Sequence, residues 1–153
     1  MLKSALLSKF RWMAGAVLLL ATAASHAVDF KTVGANPAIL YDAPSSKGGK
    51  LYVAPRGMPL EVVLSYGEWV KVRDASGEMA WTEAKGLSAK RNVVARAANL
   101  KVRASPDDTA SAIILVDKGV LLEMSEQPSS GWVKVRHKDG QSGYVKTSEV
   151  WGL

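Results

Sequence analysis

The sequence predicts an all-β protein that consists of two small β-barrels in tandem, and an internal repeat is the first reason. The stretch Trp-Val-Lys-Val-Arg stands at residues 69–73 and again at 132–136, an offset of 63 residues. Flanking residues repeat at an offset of 62 or 63, namely Gly57 with Gly119, Gly77 with Gly140 and Trp81 with Tyr144. A match of this extent indicates a duplicated unit of about 60 residues, the size of one small β domain.

The second reason is the local pattern, in which short apolar and β-branched runs alternate with turns. Within residues 69–73, a period of two places Val70 and Val72 on one face of a strand. The valine face is the core by default, so the tryptophan, lysine and arginine of the stretch face outwards. No stretch in either repeat has apolar residues at helical spacing, which favours a small barrel or sandwich.

Residues 1–27 are predicted to be a cleaved signal peptide. The segment has a basic start, an apolar run and a small-residue cleavage tripeptide, at Lys3 to Arg11, residues 12–24 and Ser25-His26-Ala27. An uncleaved membrane anchor is the alternative, but the apolar run is shorter than the ~20 residues that a bilayer span needs. We therefore expect an exported protein without a stable membrane span, periplasmic in a Gram-negative cell and otherwise secreted or wall-associated.

The charge balance excludes one class of partner. The chain has 20 basic and 14 acidic residues, and three of the basic ones lie in the predicted signal peptide, which leaves a net charge of +3 on residues 28–153. Such a small excess is not the charge pattern of a nucleic-acid-binding protein. It suits weak attraction to an anionic wall or membrane surface, although most surface charge is simply solvated. The chain has no cysteine, so packing rather than disulfides must hold these small domains.

The first predicted domain covers residues 28–88. A short opening strand at 30–33 precedes a turn at Gly34-Ala35-Asn36-Pro37. The later strands of this domain are predicted at 38–42, 51–53, 60–64, 69–73 and 78–82, with turns at 43–50, 55–59 and 74–77.

The second predicted domain covers residues 92–153. Residues 88–91 connect it to the first domain without proline or glycine, which is typical of a tight joint rather than a flexible linker. Asp139-Gly140 is a strong hairpin signal. The strands of this domain are predicted at 92–95, 99–103, 112–116, 120–124, 132–136, 143–145 and 150–153.

Taken in order, the elements of the second domain resemble the bacterial SH3 domain family. These elements are Asn99-Leu100-Lys101-Val102-Arg103, Ser105-Pro106, Lys118-Gly119, Gly131 to Arg136, Asp139-Gly140 and Gly143-Tyr144-Val145. The first domain is similar to the same family through Lys71-Val72-Arg73, Gly77 and Trp81. The resemblance implies two SH3-like β-barrels in an exported envelope protein, and it implies binding of peptidoglycan or its peptides.

The first domain departs from this pattern at two places. We expect Asp42 to stand where the second domain has Arg103, a change that would reverse a contact with a carboxylate or phosphate. Ala80-Trp81-Thr82 also replaces Gly143-Tyr144-Val145. The two domains are therefore not expected to share one binding site, so that one binds while the other supports it.

The candidate ligand-binding residues are aromatic and cationic side chains on the repeated strand and its neighbours. They are Trp132, Tyr144, Arg103, Lys134 and Arg136 in the second domain, and Trp69, Trp81, Lys71 and Arg73 in the first. An aromatic platform stacks on a sugar or peptide, while adjacent cations meet carboxylates. In the alternative interpretation, each tryptophan covers one end of its barrel or packs on the other domain. Trp151 is expected to have such a structural role.

Catalysis and cofactors have little support in the sequence. The chain has no thiol nucleophile, and His137, the one histidine after residue 27, lies beside a predicted hairpin where a solvated side chain is expected. No carboxylate pair, phosphate loop or set of metal ligands is recognisable. The sequence therefore predicts a non-catalytic binding module without a cofactor. Its expected partner is a cell-wall glycan or peptide, or else a periplasmic protein bound through an extended peptide.

Overall fold

The structure, a computed structural model, describes residues 27–153, and the predicted signal peptide lies outside these residues apart from Ala27. The described residues form two seven-stranded antiparallel sheets, one for each half of the sequence. The predictions of an all-β fold and of a tandem repeat are therefore confirmed. Within residues 27–153, no helix is long and apolar enough to cross a membrane.

The first sheet has the strand order β3-β2-β6-β5-β4-β1-β7. A short 3-10 helix, Ala84–Gly86, precedes its last strand. The strands are β1 (Asp29–Val33), β2 (Ala38–Tyr41), β3 (Lys50–Ala54), β4 (Pro59–Tyr66), β5 (Trp69–Arg73), β6 (Met79–Glu83) and β7 (Leu87–Ser88).

The second sheet repeats that topology strand for strand, in the order β10-β9-β13-β12-β11-β8-β14. A second 3-10 helix, Thr147–Glu149, precedes its last strand. The strands are β8 (Asn92–Ala95), β9 (Leu100–Arg103), β10 (Ala112–Val116), β11 (Leu121–Met124), β12 (Trp132–Arg136), β13 (Ser142–Lys146) and β14 (Val150–Trp151).

Side chains alternate along the repeated strand (residues 69–73 and 132–136), and its valines lie in the cores, as predicted. Val70 and Val72 are 7% and 1% exposed, and Val133 and Val135 are 1% and 0% exposed. Burying an aliphatic side chain of this size stabilises a fold by about 1.5–3 kcal/mol. Each domain is therefore held by its own aliphatic cluster, whose other members include Val33, Leu40, Ala54 and Leu60 in the first domain, and Val93, Val102, Leu122 and Val145 in the second.

Sheet pairing shows which residues are equivalent in the two domains. Trp81 on β6 pairs with Tyr41 on β2, and Tyr144 on β13 pairs with Arg103 on β9. Tyr41 is therefore the counterpart of Arg103, and the expectation that Asp42 takes this position is wrong. Asp42 instead lies in the following turn, where its carboxylate accepts a 2.7 Å hydrogen bond from a backbone N–H.

A direct contact joins the two domains. The Phe30 and Trp151 rings pack edge to face with centroids 4.9 Å apart, and the Arg91 guanidinium lies 5.6 Å from the Phe30 centroid. Asn92 Nδ2 donates a 2.8 Å hydrogen bond to the carbonyl oxygen of Gly57. Since Phe30 is buried, with 7% of its surface exposed, the domains are docked rather than strung on a linker.

The docking contact centres on Phe30 and Trp151 rather than on the repeated tryptophans. The structural role expected of Trp151 agrees with this position at the joint. Trp69 packs on Tyr41 within its own domain, and Trp132 lines a cleft in its own domain. The outward face of the repeated strand is thus available for a different role in each domain.

Candidate functional site

The segment before the repeated strand is a main point of difference between the two domains. In the first domain, β4 is eight residues long and its pairing continues until Tyr66 lies opposite Trp69. In the second domain, β11 ends at Met124, and residues 125–131 leave the sheet before β12 begins. Four residues of this segment, Glu126, Gln127, Ser129 and Ser130, form a wall beside the outer face of β12.

Local sequence explains why this segment leaves the sheet. Pro128 has no N–H group to donate to a strand ladder, and Ser130 and Gly131 have positive φ angles of 50° and 82°. The returning chain is fixed by two backbone hydrogen bonds between Ser129 and Trp132, of 2.8 and 3.0 Å. The wall is therefore a defined turn that places its side chains next to Trp132.

A cleft of about 300 Å³ lies between this wall and the outer face of β12 and β13. Its size is at the lower end of the ~300–1,000 Å³ that small-ligand sites occupy. Three of the candidate residues, Trp132, Lys134 and Tyr144, are brought together in it. The other residues that line the cleft are Pro106, Glu126, Gln127, Ser129 and Ser130.

Lys134 carries a positive charge in the middle of the cleft. Its Nζ lies 5.9 Å from the centroid of the Tyr144 ring, and it forms an ion pair of 3.1 Å with Glu126 Oε1. The hydrogen bond and the charge of Glu126 raise the pKa of Lys134, so the ammonium group persists at neutral pH. The cleft thus presents a cation and an anion side by side, next to two aromatic rings.

Trp132 is held from its other side by a second lysine. Lys146 lies opposite Trp132 in the sheet, and its Nζ is 5.9 Å from the centroid of the indole. Lys146 also forms an ion pair with Asp108 at 2.5 Å. A cation near an aromatic face is attracted by the ring quadrupole, so this arrangement helps to fix the indole in the cleft.

The two candidate arginines of the second domain lie outside the lining of the cleft. Arg103 Nη1 donates a 2.8 Å hydrogen bond to the carbonyl oxygen of Ala110, in the turn that follows β9. Arg136, at the far end of β12, forms a 3.0 Å ion pair with Glu123, which also pairs with Lys90 at 3.0 Å. Lys90 and Arg136 together lower the pKa of Glu123.

In the first domain, the equivalent face is filled by its own aromatic rings. Tyr41 and Trp69 pack edge to face at a centroid distance of 5.5 Å, and Tyr66 and Trp81 do so at 6.5 Å. Lys71 Nζ lies 5.9 Å from the Trp81 centroid, as Lys134 does from Tyr144. The candidates Trp69, Trp81 and Lys71 therefore share one surface on which neighbouring rings already occupy the stacking positions.

The charges on the two faces also differ. Trp69 lies opposite Glu83, whereas the corresponding partner of Trp132 is Lys146. The candidate Arg73 forms a 2.9 Å ion pair with Glu61 on the neighbouring strand. This arginine therefore already has a carboxylate partner on its own sheet.

The sequence interpretation identified the floor of the cleft but missed its wall, which includes Glu126 and Ser129, and also the lining residue Pro106. One signal was present, because the loop before Trp132 was visibly longer than its counterpart before Trp69. Its residues were not considered as ligand contacts, since serine, glutamine and proline are common in any loop.

The side chains that could bind a metal ion are scattered among the described residues. Across residues 27–153, no three His, Cys, Asp or Glu side chains cluster as metal ligands would. His137 lies in the turn between β12 and β13, where its Nδ1 accepts a 3.3 Å hydrogen bond from the backbone N–H of Asp139.

Comparison with protein families identifies both halves of the chain. The family model described as a bacterial SH3 domain matches residues 34–88 and 96–152, which fall on the two sheets. No curated protein matches the sequence.

Solved structures match the chain at low sequence identity. NlpC2 and NlpC1 from Trichomonas vaginalis are 11% and 12% identical, each with a TM-score of 0.38; the alignments cover 83% and 90% of this chain and 49% and 50% of those chains. An NlpC/P60 family protein from Bacillus cereus ATCC 10987 is 14% identical with a TM-score of 0.37, over 82% of this chain and 56% of that chain. The chain therefore spans about half the length of these structures.

Proposed function

Because the chain belongs to the bacterial SH3 domain family, we propose that it is a non-catalytic binding module of the cell envelope that recognises peptidoglycan or a cell-wall peptide. The proposed site is the cleft of the second domain, with Trp132, Tyr144 and Lys134 as its ligand-binding residues. The first domain supports the second through the joint and does not bind the same ligand.

The observation that carries this proposal is the combination of groups in the cleft. Trp132 and Tyr144 offer ring faces and edges for stacking, and Lys134 and Glu126 form a 3.1 Å ion pair in the same cleft. Aromatic side chains suit ligands that are apolar on one face and polar at the edges, as sugars are. An ammonium–carboxylate pair suits a short peptide that carries carboxylates and amino groups of its own.

Arg103 contributes indirectly in this proposal. Its guanidinium holds Ala110, in the same turn that carries Pro106 at the edge of the cleft. It is therefore a positioning residue for the cleft rather than a ligand contact.

We also propose that the protein is exported, with residues 1–27 removed and domains at 28–88 and 92–153. The basic, apolar and small-residue pattern of the N-terminus supports export. Family membership points the same way, since bacterial SH3 domains are common in envelope proteins. The site of action is then the periplasm, or the wall in a cell without an outer membrane.

Co-sedimentation of residues 28–153 with purified peptidoglycan at low salt tests the cleft. Trp132→Ala should weaken binding more than about tenfold, as the loss of a central aromatic contact does. Trp69→Ala is the matched control and should keep most of the binding, because Trp69 lies outside the cleft. Absence of sedimentation by the wild type would overturn the function, and equal losses in both variants would overturn the assignment to the second domain.

A specific observation favours a second candidate function, the binding of an extended peptide of a periplasmic protein. β3 and β10 are the edge strands of their sheets, and each exposes two large apolar side chains. An open edge accepts a further strand from a partner, with side-chain pockets that set specificity. These side chains are Leu51 and Val53 on β3, and Ile113 and Leu115 on β10, which are 44–59% exposed.

The two functions respond differently to substitution. Val53→Lys and Leu115→Lys place charges on the edges and should abolish strand addition while wall sedimentation continues. Trp132→Ala should do the reverse. If the lysine variants and not Trp132→Ala reduced sedimentation, the edges rather than the cleft would be the binding surface.

A further inference from the structure

A second concavity lies between the two domains, apart from the cleft. This interdomain groove has a volume of about 920 Å³. Thr32 and Arg56 line it from the first domain, Asn92 lines it from the start of the second, and Lys138 lines it from the turn between β12 and β13. None of the residues that line the cleft lines the groove, so the two sites are separate.

Positive charge is concentrated in the interdomain groove. Four cationic residues line it, Arg56, Lys90, Arg136 and Lys138, against one carboxylate, that of Glu123. Residues 28–153 as a whole carry three more basic than acidic residues. The groove therefore has a charge excess as large as that of the entire segment, and a concavity lined by one sign of charge attracts ligands of the opposite sign.

Two of the four cations have no carboxylate partner. Lys90 and Arg136 share Glu123, each at 3.0 Å. Among the described residues, Arg56 and Lys138 form neither an ion pair nor a side-chain hydrogen bond. These two side chains therefore have their full hydrogen-bonding capacity free for an anion.

Buried polar atoms of two residues that line the groove also lack partners. Thr32 is 3% exposed and its Oγ1 makes no hydrogen bond, so its hydroxyl has a proton to donate. Asn92 donates to Gly57 through Nδ2, but its buried Oδ1 accepts nothing. A buried polar group without a partner costs free energy. Less than 1 Å² of each of these two atoms is exposed, so a ligand with an acceptor and an N–H donor removes that cost when the two side chains turn into the groove.

We propose that the interdomain groove binds an acidic peptide, with its carboxylate at Arg56 and Lys138 and a neighbouring amide N–H at Asn92. Carboxylate and amide N–H occur together in every peptide with an acidic side chain or a free C-terminus. A phosphomonoester dianion would satisfy the cations but has no proton to donate to Asn92 Oδ1. The interdomain groove does not depend on the cleft. It recognises its ligand by charge and hydrogen bonds rather than by stacking.

NMR titration of residues 28–153 tests this assignment with four probes. N-acetylglutamate carries carboxylates and an amide, glutarate lacks the amide, phenyl phosphate is a dianion without a proton to donate, and N-acetylglucosamine is neutral. N-acetylglutamate should shift the resonances of Thr32, Gly57 and the Asn92 side-chain amide, and it should bind more tightly than glutarate and phenyl phosphate. Equal or tighter binding of phenyl phosphate would overturn the peptide assignment, and shifts spread over the whole basic surface would overturn the site.

Variants that remove two positive charges distinguish binding in the interdomain groove from nonspecific attraction to the basic surface. The double variant Arg56→Gln/Lys138→Gln should bind N-acetylglutamate about tenfold more weakly, because it loses two charge-assisted contacts. Arg96→Gln/Lys101→Gln removes the same charge from exposed positions elsewhere and should bind as the wild type does. A similar loss in both double variants contradicts the proposal. Trp132→Ala should leave this binding unchanged, so failure of the cleft and failure of the groove are distinguishable.

Discussion

The rings of Phe30 and Trp151 meet edge to face, with an interplanar angle of 88°. Phe30 is on β1, the first strand of the first sheet, and Trp151 is on β14, the last strand of the second. One ring pair therefore ties the beginning of one domain to the end of the other. Because a domain of about 60 residues is marginally stable by itself, this contact makes each domain part of the stability of its neighbour.

Trp151→Ala should uncouple the two domains. The edge-to-face pair contributes about 0.5–1.5 kcal/mol beyond its area burial, and loss of a packed tryptophan side chain raises the total to about 3–5 kcal/mol. Denaturant unfolding, followed by circular dichroism and by NMR, should change from one transition to two. Trp132→Ala, the same substitution away from the joint, should retain a single transition, and two transitions in the wild type would contradict coupling.

Gly143→Ala should destabilise the second domain by about 1–3 kcal/mol through overpacking. A Cβ at this buried position would lie 2.5 Å from the carbonyl oxygen of Arg103 and 2.8 Å from Val102 Cγ1. The first domain has Ala80 at the equivalent place, where it is 2% exposed within the core. The steric exclusion of a Cβ at this position therefore applies to the second domain and not to the first. Gly86→Ala, where an added Cβ meets nothing within 4 Å, is the control. Equal thermal midpoints of the two variants would refute the prediction.

Asp74→Asn should weaken the first domain. Tyr52 donates a 2.6 Å hydrogen bond to Asp74 Oδ2, while the Ser76 N–H and hydroxyl and the Glu78 N–H donate to Oδ1 at 2.6–3.0 Å. An amide in this place turns its NH₂ group against a donor, which should cost about 1–3 kcal/mol of unfolding free energy. Asp117→Asn, at an exposed turn, should cost little. Chemical denaturation at neutral pH measures both.

The carboxylate of Asp74 should also make the first domain less stable in acid. Burial opposes ionisation of Asp74, but the hydrogen bonds from Ser76 and Tyr52 outweigh it, so the pKa of Asp74 is lowered. Its stabilising contribution is complete above the unfolded-state pKa of about 3.9 and disappears as the pH falls through the folded-state pKa. The thermal midpoint of the wild type should therefore drop more steeply below about pH 4 than that of Asp74→Asn. Parallel pH profiles would show that another carboxylate governs acid unfolding.

Tyr66→Ala should expose Trp81 without unfolding the first domain. The Tyr66 side chain is 65% exposed and covers Trp81 at a centroid distance of 6.5 Å. An exposed residue outside the core usually contributes less than about 1 kcal/mol. The indole N–H resonance of Trp81 should shift while that of Trp132 stays in place. A large fall in the thermal midpoint would show that Tyr66 is part of the core.

The fold was largely predictable because its main signals are local. A period of two in each copy of the repeated strand placed the valines inside, and glycine- and proline-rich turns separated the strands. Lys134 and Trp132 were identified as outward-facing for the same reason. These conclusions require a strand and its core face, which a few neighbouring residues determine.

The equivalence of Tyr41 and Arg103 was not recognised, because it depends on which strand lies beside which. Pairing Asp42 with Arg103 shifts the alignment of the two strands by one residue, and a shift of one residue reverses the facing of every side chain. Pro44 and Pro106, 62 residues apart, would have given the offset correctly. The cleft and the interdomain groove were unpredictable for a related reason, since each joins residues that are distant in the chain.

The ring of Tyr66 also limits how tightly the first domain could bind a ligand that stacks on Trp81. A ligand that stacks on Trp81 must first displace a phenol that belongs to the same chain and cannot diffuse away. Such a tethered competitor acts at an effective concentration on the order of millimolar, whatever the dilution of the protein. The apparent affinity then falls in proportion to the time the indole spends uncovered. Stacking on the first domain is therefore disfavoured at any dilution of the protein, which agrees with its supporting role.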